Sequence, residues 1–199
     1  MDTQSLVSSA CAEIVELTRN RNSVLIFTTS VEHGQHVAAE ISRRAGTECG
    51  IVTGDTPVGQ RAELLARFKG ETVQSDLFGG TKPPLKYLGN VNVLTTGFDA
   101  TNVDCVVLLR PTASVGLYVQ MVGRGTRLHP GKEDCLILDY GGNVLRHRTH
   151  TGDFAISKPH DGVLRGVGVA IISGRSASQR LHEKPQQHLC CGIGQQWCR

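Results

Sequence analysis

The segment YVQMVGRGTR has the residue types and spacing best suited to bind a phosphate chain. Gln120 and Arg124 are four residues apart and Arg124 and Arg127 are three apart, so a helical turn would project all three side chains toward one side. Two planar guanidinium groups beside a glutamine match the oxygens of a polyphosphate. Gly123 and Gly125 favour a close approach of the backbone to a ligand, because a glycine inside a helix costs about 1 kcal/mol. The alternative is a solvated basic turn at the end of a helix.

Three further groups of small polar residues each follow a short apolar segment. Hydroxyls and backbone amides at such places can hold a phosphodiester, and an aspartate there can accept from a ribose hydroxyl or orient an arginine. The N-terminus of a following helix also suits an anion. Helix capping, or a surface ion pair for the arginine, is the competing interpretation. The groups are Thr28 with Thr29, Thr53 with Gly54 and the following Arg61, and Thr95, Thr96 and Gly97 with Asp99.

Short apolar segments rich in branched residues alternate with helical patterns along the chain. These predicted strands and helices must position the arginine segment and the three polar groups. Continuous apolar strands joined by helices predict an α/β fold with a doubly wound, mainly parallel sheet covered by helices on both faces. Ligands of such folds bind at the carboxyl ends of the strands, so we expect the polar groups to open onto one edge of the sheet. The predicted strands are Val24 to Phe27, Gly50 to Thr53, Val91 to Leu94, Val106 to Leu109 and Cys135 to Asp139.

Helices are predicted where apolar residues recur at spacings of three and four. Thr29 and Glu32 predict a capping box at the start of the second helix. Thr56 and Pro57 predict the cap and the first position of the third. The predicted helices are Leu6 to Thr18, Val31 to Ala45, Pro57 to about Phe68, and Ser114 to Val122.

Two regions depart from this alternation. The stretch 70–89 contains Gly79-Gly80 and Pro83-Pro84 and is long for a connection, so it predicts an insertion with its own hairpin or its own role. After about Arg146 no strand or helix period can be followed. We therefore predict one domain over residues 1–149, with the insertion, and an irregular or disordered tail over 150–199.

The composition excludes several classes of protein. With 199 residues, 39% hydrophobic and 20% charged, the chain fits one soluble globular domain, and no apolar run approaches the ~18 residues of a membrane helix. The N-terminus shows no signal segment, so the cytoplasm is the expected location and reduced cysteines are expected there. A net charge of +3 decides nothing about polyanions. Cys190, Cys191 and Cys198 lack paired ligand spacing, so no metal site is predicted.

Four segments in order, IFTTS, TGD with the following QR, TTGFD and QMVGRGTR, resemble motifs four to six of superfamily-two helicases of the DEAD/DEAH type. Within that superfamily, VNVLTTGFDATNVDCVVLLRPT, YVQMVGRGTRLHPGK and ILDYGG are most similar to the bacterial RadD-like helicases. The resemblance covers roughly residues 20–145. It implies a RecA-like C-terminal motor domain, which clamps ATP against a second such domain while single-stranded nucleic acid crosses both.

The resemblance also implies roles for individual residues. Arg124 and Arg127 match the catalytic arginines that reach the γ-phosphate, and Gln120 would assist them. Gly97, Asp99 and Gly123 would lie at the nucleotide. Single-stranded or duplex nucleic acid is the implied partner, with DNA favoured over RNA, and contacts to its backbone would leave sequence preference loose. Those contacts would come from Thr28, Thr29, Thr53, Gly54, Arg61, Thr95 and Thr96.

The sequence departs from a complete motor in one respect. It contains neither a Walker loop of the form GxxxxGK[ST] nor an acidic magnesium motif, and Gly131-Lys132 is a near miss that Glu133 follows. ATP and Mg²⁺ would therefore be shared with an N-terminal motor domain supplied in cis or in trans, and the chain alone is not expected to hydrolyse ATP. Two alternatives stay open: a non-catalytic nucleic-acid-binding module from a truncated helicase gene, and an α/β domain that binds a nucleotide or phosphorylated metabolite.

Overall fold

The computed structural model describes residues 3–74, 80–91, 93 and 99–147, together with the backbone of residues 168–173 and 188–189. The elements, in chain order, are α1 (Thr3–Leu17), β1 (Val24–Phe27), α2 (Val31–Ala45), β2 (Cys49–Val52), α3 (Val58–Phe68), β3 (Val73–Gln74), β4 (Thr81–Lys82), β5 (Tyr87–Asn90), β6 (Cys105–Leu108), α4 (Val115–Val122), β7 (Asp134–Asp139), α5 (Asn143–His147), β8 (Gly168–Ser173) and β9 (His188–Leu189).

Seven of the described strands form one sheet in the order β2-β5-β1-β6-β7-β8-β9. Neighbouring strands from β2 to β8 are parallel, and β9 pairs antiparallel with β8. At the centre, Val24 of β1 pairs with Tyr87 of β5 on one side and with Cys105 of β6 on the other. The predicted, mainly parallel sheet is confirmed, and β1, β2, β6 and β7 each begin and end within one residue of the prediction.

Helices cover both faces of the sheet, which confirms the doubly wound arrangement. On one face, Ile14 of α1 and Ile41 of α2 are buried in the same cluster as Ile26 of β1. On the other, Phe68 of α3 is buried in a cluster with Leu25 of β1 and with residues of α4. Successive residues of β1 thus point into opposite layers. Each such side chain contributes about 1.5–3 kcal/mol when fully buried.

The strand predicted at Val91 to Leu94 lies earlier, at β5, and the two described residues of the predicted span, Val91 and Val93, lie outside any strand. Gly89, assigned to the end of the predicted insertion, instead lies inside β5, where it pairs with β1 on one side and with β2 on the other. The insertion predicted over 70–89 therefore ends before β5. Within it, β3 and β4 pair antiparallel, with Val73 opposite Lys82, which confirms the predicted hairpin.

Arg67, near the end of α3, attaches this inserted segment to the rest of the domain. Its side chain is 3% exposed. Nε donates to the Pro83 carbonyl at 2.8 Å, and Nη2 donates to Glu48 Oε2 at 2.6 Å. A buried guanidinium requires such partners, so Arg67 fixes the path of the chain between β4 and β5.

The second helix begins at Val31 as predicted, but its cap residue lies one position later than predicted. Ser30, not Thr29, is the cap residue of α2, and its Oγ accepts from the backbone N–H of His33 at 3.2 Å. The predicted capping box of Thr29 with Glu32 is therefore wrong by one position. The hydroxyl of Thr29 instead lies 2.8 Å from His33 Nδ1. At the other end, Gly46 adopts φ 66° and closes the helix in the left-handed conformation that glycine favours.

Residues 150–199, predicted as an irregular tail, contribute two described strands. β8 extends the sheet beyond β7, and β9 follows it. The boundary at residue 149 stays a prediction, and Cys190, Cys191 and Cys198 lie outside the described residues. In the part of the chain that the structure describes, no helix has the length and apolar character needed to cross a bilayer.

Candidate functional site

The arginine turn, residues 123–127, follows directly on α4. Ser114 caps the start of α4 by accepting from the Leu117 N–H at 3.2 Å. The helix ends at Gly123, whose N–H donates to the Val119 carbonyl at 2.8 Å. Because α4 stops at Val122, Arg124 lies beyond the last regular helical turn. It is buried, with 7% of its surface exposed.

Gly125 lies against the core, and this contact requires a glycine. A Cβ on Gly125 would lie 2.2 Å from Cys135 Sγ and 2.9 Å from Val106 Cγ2, far inside van der Waals contact. Cys135 and Val106 are each the second residue of their strands, so the turn packs on the amino-terminal half of β6 and β7. The glycine therefore has a packing role here, in addition to any approach of a ligand to the backbone.

This placement corrects the expectation that all polar groups open onto one edge of the sheet. A helix that joins two parallel strands runs antiparallel to them, so α4 starts near the carboxyl end of β6 and ends toward the amino end of β7. The groups after β1 and β2 do lie at carboxyl ends. The arginine turn does not.

Asp99 and the arginine turn are brought together from distant parts of the sequence. Arg127 Nη1 donates to Asp99 Oδ1 at 2.6 Å, and the two side chains are 35% and 78% exposed. Burial, and secondarily the positive charge of Arg127, lower the pKa of Arg124, whereas the Asp99 charge opposes that shift. Two guanidinium groups and one carboxylate thus share a small, partly desolvated space.

Gln120 does not share the environment of Arg124. It is exposed on α4, while Arg124 is buried beyond the helix end. The expectation that all three side chains project toward one side therefore fails for Gln120, whereas Arg124 and Arg127 remain close to each other beyond the helix end. Thr95, Thr96 and Gly97, predicted to lie nearby, fall outside the described residues.

Lys132 is a residue of this region that motif reasoning did not identify. Its Nζ donates to the Gly125 carbonyl at 2.5 Å and to the Arg127 carbonyl at 2.8 Å. Burial lowers its pKa. In the sequence, Gly131-Lys132 resembles the end of a phosphate-binding loop, but the lysine side chain is directed to the arginine turn of its own chain.

The first group at the carboxyl edge, after β1, divides into a buried and an exposed residue. Thr28 is 1% exposed, and its hydroxyl donates to the Asn90 carbonyl at 3.4 Å. Thr29 is exposed beside His33, whose pKa is lowered by burial and then by the charge of His36. The predicted contact of Thr28 with nucleic acid conflicts with this burial, whereas Thr29 is accessible.

The second group, after β2, forms a turn that Arg61 holds from within. Arg61 Nη2 lies 3.2–3.4 Å from the carbonyls of Thr53, Gly54 and Thr56. The hydroxyl of Thr56 accepts from the Thr53 N–H at 2.9 Å, so Thr56 stabilises this turn. It does not cap α3 as predicted, since Pro57 is the cap residue. Arg61 is therefore committed to the backbone of its own loop, and Gly54 is the exposed part of the group.

A buried carboxylate at the carboxyl end of β7 organises α5. Asp139 accepts from the Gly141 N–H, the Asn143 side-chain amide and the Val144 N–H at 2.8–3.1 Å. Burial raises its pKa, against these hydrogen bonds, which lower it. The ring of His147 in α5 stacks on Tyr118 of α4 at 5.3 Å between centroids. The hydrogen bonds of Asp139 thus give it a structural role at the start of α5. Among the described residues, no group of side chains is arranged to bind a metal ion.

Comparisons with known proteins agree with this fold and with these motifs. Residues 7–129 match the family described as the helicase conserved C-terminal domain. The chain is 38% identical over 136 residues to irc3 of Schizosaccharomyces pombe, by name a candidate mitochondrial ATP-dependent helicase, and the match covers 68% of this chain and 20% of irc3. The chain thus spans about a fifth of the length of that relative.

Two solved structures share the fold at low sequence identity. A fragment of a candidate HsdR subunit of a type I restriction enzyme from Vibrio vulnificus YJ016 superposes with a TM-score of 0.60 at 23% identity, covering 85% of this chain and 32% of that one. Domain 2 of the DEAD-box helicase Mss116p, solved with an RNA duplex, gives 0.51 at 19% identity, covering 68% of this chain and 50% of that one. Both support a RecA-like domain for residues within the matched part of the chain.

Proposed function

Since the chain belongs to the helicase conserved C-terminal domain family of superfamily-two helicases, we propose that it acts as the second motor domain of an ATP-dependent helicase or translocase. The proposal rests above all on the joining of Asp99 to the arginine turn through the 2.6 Å contact with Arg127. In this role the chain supplies an arginine finger and part of the surface that follows the nucleic acid. The first motor domain supplies the remainder.

Arg124 is proposed as the arginine finger, with Arg127 beside it and Gln120 assisting from α4. The lowered pKa of Arg124 means that its positive charge is destabilised by burial and by Arg127. A phosphate oxygen near both guanidinium groups would relieve that cost and accept their N–H donors. Such a finger typically contributes about 10³–10⁵ in rate to related nucleotidases.

Asp99, Gly97 and Gly123 are proposed to lie at the nucleotide. Asp99 is exposed and already orients Arg127, so it is placed to accept from a ribose hydroxyl or to hold the arginine in readiness. Gly123 closes α4 directly before Arg124. A Cβ there would lie 2.9 Å from the Val119 carbonyl oxygen, so the end of α4 itself leaves little room for a side chain at Gly123.

The nucleic acid is proposed to cross the carboxyl edge of β1 and β2. Exposed Thr29 and Gly54 offer a hydroxyl and a backbone amide for phosphate oxygens. Thr53 and Arg61 shape the turn that presents Gly54. Thr95 and Thr96 are proposed as further contacts. Contacts of this kind to the phosphate backbone give loose sequence preference. DNA is proposed as the partner in preference to RNA.

The chain by itself is proposed not to hydrolyse ATP. Its sequence contains no phosphate-binding loop or acidic magnesium motif. The N-terminal motor domain would provide both, in the same polypeptide or in another. A cytoplasmic location stays a prediction, and the name of the yeast relative places that protein in mitochondria.

A reconstitution experiment tests this function. ATP hydrolysis stimulated by single-stranded DNA is measured for the chain alone, for the first motor domain of irc3 alone, and for the two mixed or fused. We expect activity only in the combination, and we expect Arg124→Ala to abolish it. Hydrolysis by the chain alone, or combined activity that is indifferent to Arg124→Ala, would disprove the proposal. DNA binding without any stimulated hydrolysis would favour a non-catalytic binding module instead.

A further inference from the structure

Lys132 contacts two backbone carbonyls of the arginine turn, close to the two arginines proposed to bind phosphate. One acceptor, Gly125, follows Arg124 directly, and the other is the carbonyl of Arg127 itself. The donor is a charged ammonium group, which makes stronger hydrogen bonds than a neutral donor, and Nζ lies 2.5 Å from the Gly125 carbonyl and 2.8 Å from the Arg127 carbonyl. A single ammonium group therefore links the backbone positions of both arginines.

The turn is also held by the sheet. Gly125 has no room for a Cβ above Cys135 and Val106, so its backbone cannot move toward the core. Lys132 bonds to the same residue through its carbonyl. Gly125 is thus restrained by two contacts, the packed side chains of β6 and β7 and the ammonium group.

The path of the chain after the turn brings Lys132 back to it. The Lys132 N–H donates to the His129 carbonyl at 3.1 Å, and Gly131 adopts φ 77°, a conformation that most residues disfavour. The His129 ring is itself located by Thr101, whose hydroxyl lies 2.9 Å from Nδ1. This reversal is what directs the side chain toward Gly125 and not into solvent.

We propose that Lys132 is a positioning residue, which fixes the arginine turn so that Arg124 and Arg127 meet the phosphate chain in a defined geometry. The proposal rests on the function proposed above, since it assumes that these arginines act on ATP. Lys132 acts through the backbone and contacts no substrate. Burial lowers its pKa, which is consistent with an ammonium group drawn from water toward carbonyl oxygens.

If Lys132 positions the arginines, its substitution should lower the rate of ATP turnover more than it weakens ATP binding. An arginine finger stabilises mainly the transition state, so its misplacement lowers kcat more than it changes KM. Displacement by about 1 Å can cost on the order of 100-fold in rate. Lys132→Met keeps the aliphatic part of the side chain and removes the ammonium donor, whereas Lys132→Arg keeps a donor of similar reach.

The test compares kcat and KM for ATP in the fused two-domain protein. We expect Lys132→Met to lower kcat about 10- to 100-fold while KM changes less than about threefold, and Lys132→Arg to recover most of kcat. Lys69→Met, at the exposed C-terminal end of α3, is the matched control and should leave both constants unchanged. Thermal unfolding of each variant chain is measured in parallel.

Two results would overturn the positioning role. One is a kcat for Lys132→Met within about threefold of the wild type. The other is a loss that Lys132→Arg fails to recover and that follows the loss of thermal stability. Arg124→Ala in the same assay separates the two proposals: if it abolishes turnover and Lys132→Met does not, only the role of Lys132 fails. If Arg124→Ala retains turnover, the proposed function itself fails.

Discussion

Arg127 Nη1 lies 2.6 Å from Asp99 Oδ1, and this contact joins the segment after β5 to the turn after α4, 28 residues further along the chain. Both side chains are partly exposed, so the pair adds little to folding. An exposed ion pair is typically worth about 0–1 kcal/mol, because water screens the charges and the side chains lose freedom. The contact between Arg127 and Asp99 therefore matters for the arrangement of the site and contributes little to the stability of the fold.

A double-mutant cycle on Asp99→Asn and Arg127→Met checks this assignment. From urea unfolding of the chain we expect a coupling free energy below about 1 kcal/mol. In the fused two-domain protein we expect each single variant to lower DNA-stimulated ATP turnover strongly. A coupling free energy well above that range, with turnover unaffected, would make the pair a structural contact only. The exposed pair of Arg19 with Glu16 is a suitable reference cycle, since it lies at the C-terminal end of α1, far along the chain from this site.

Gly125→Ala tests the close packing beneath the arginine turn. The added Cβ would meet Cys135 Sγ at 2.2 Å, so the turn or the strand must shift. Overpacking of this kind costs about 1–3 kcal/mol, which urea or thermal unfolding would measure. Gly116→Ala in α4 is the matched control: its Cβ meets only Ser114 Oγ at 3.8 Å, and a helical alanine is favoured by up to about 1 kcal/mol.

Removal of the opposing sulfur refines the same prediction. Cys135→Ala leaves a small cavity in the wild-type background but removes the shortest contact of the methyl group of Gly125→Ala, so that only Val106 Cγ2, at 2.9 Å, remains closer than 3 Å. We therefore expect the double variant to lose less free energy of unfolding than the two single variants lose in total. Additive free energies of unfolding would show that the turn moves away from the sheet and that Cys135 does not limit it.

Much of the fold can be predicted from local hydrophobic patterns in the sequence, but the arrangement of the site cannot. The buried strands β1, β6 and β7 are continuous apolar runs, and α2 has an apolar residue at each expected spacing, so their positions are predictable. β5 was misplaced because Gly89 weakens its pattern and its stability comes from strands on both sides. Such pairing over long distances leaves no local signal.

The functional region shows the same division. The two arginines are evident from their spacing, but the turn that redirects them depends on Gly125 packing on Cys135, ten residues later. The reach of Lys132 to two backbone carbonyls and the contact of Asp99 with Arg127 are likewise tertiary. Conversely, Thr28 and Thr29 look equivalent in sequence. Thr28 is buried because it bonds to the Asn90 carbonyl at the end of β5, whereas Thr29 lies in the turn before α2 and is exposed.

The four cysteines of the described domain should resist thiol reagents in the folded chain. Burial raises the pKa of Cys11, Cys49 and Cys135 to about 12 and that of Cys105 well above its usual value. Only the thiolate reacts, so alkylation by iodoacetamide near pH 8 should spare these four positions. Peptide mapping by mass spectrometry reads each site separately, with the urea-unfolded chain as the positive control. Rapid labelling of any of the four before unfolding would contradict the observed packing.

Thr28 and Thr29 should respond oppositely to substitution. Thr28→Val preserves shape but removes the hydroxyl that donates to the Asn90 carbonyl, so it should lower the free energy of unfolding by about 0.5–1.5 kcal/mol and leave DNA affinity unchanged. Thr29→Val removes an exposed hydroxyl at the proposed path of the strand. It should weaken binding of single-stranded DNA by about 2- to 10-fold, the value of one hydrogen bond, with little change in stability.

Fluorescence anisotropy with a labelled single-stranded DNA, at several salt concentrations, measures this difference. A phosphate contact is sequence-independent, so the loss in Thr29→Val should be the same for unrelated DNA sequences. Because the lost partner is a neutral hydroxyl, the dependence of affinity on salt should stay close to that of the wild type. If Thr28→Val weakened DNA binding as much as Thr29→Val, the edge of β1 would have to open on binding, and the division between a buried and an exposed threonine would hold only for the free domain.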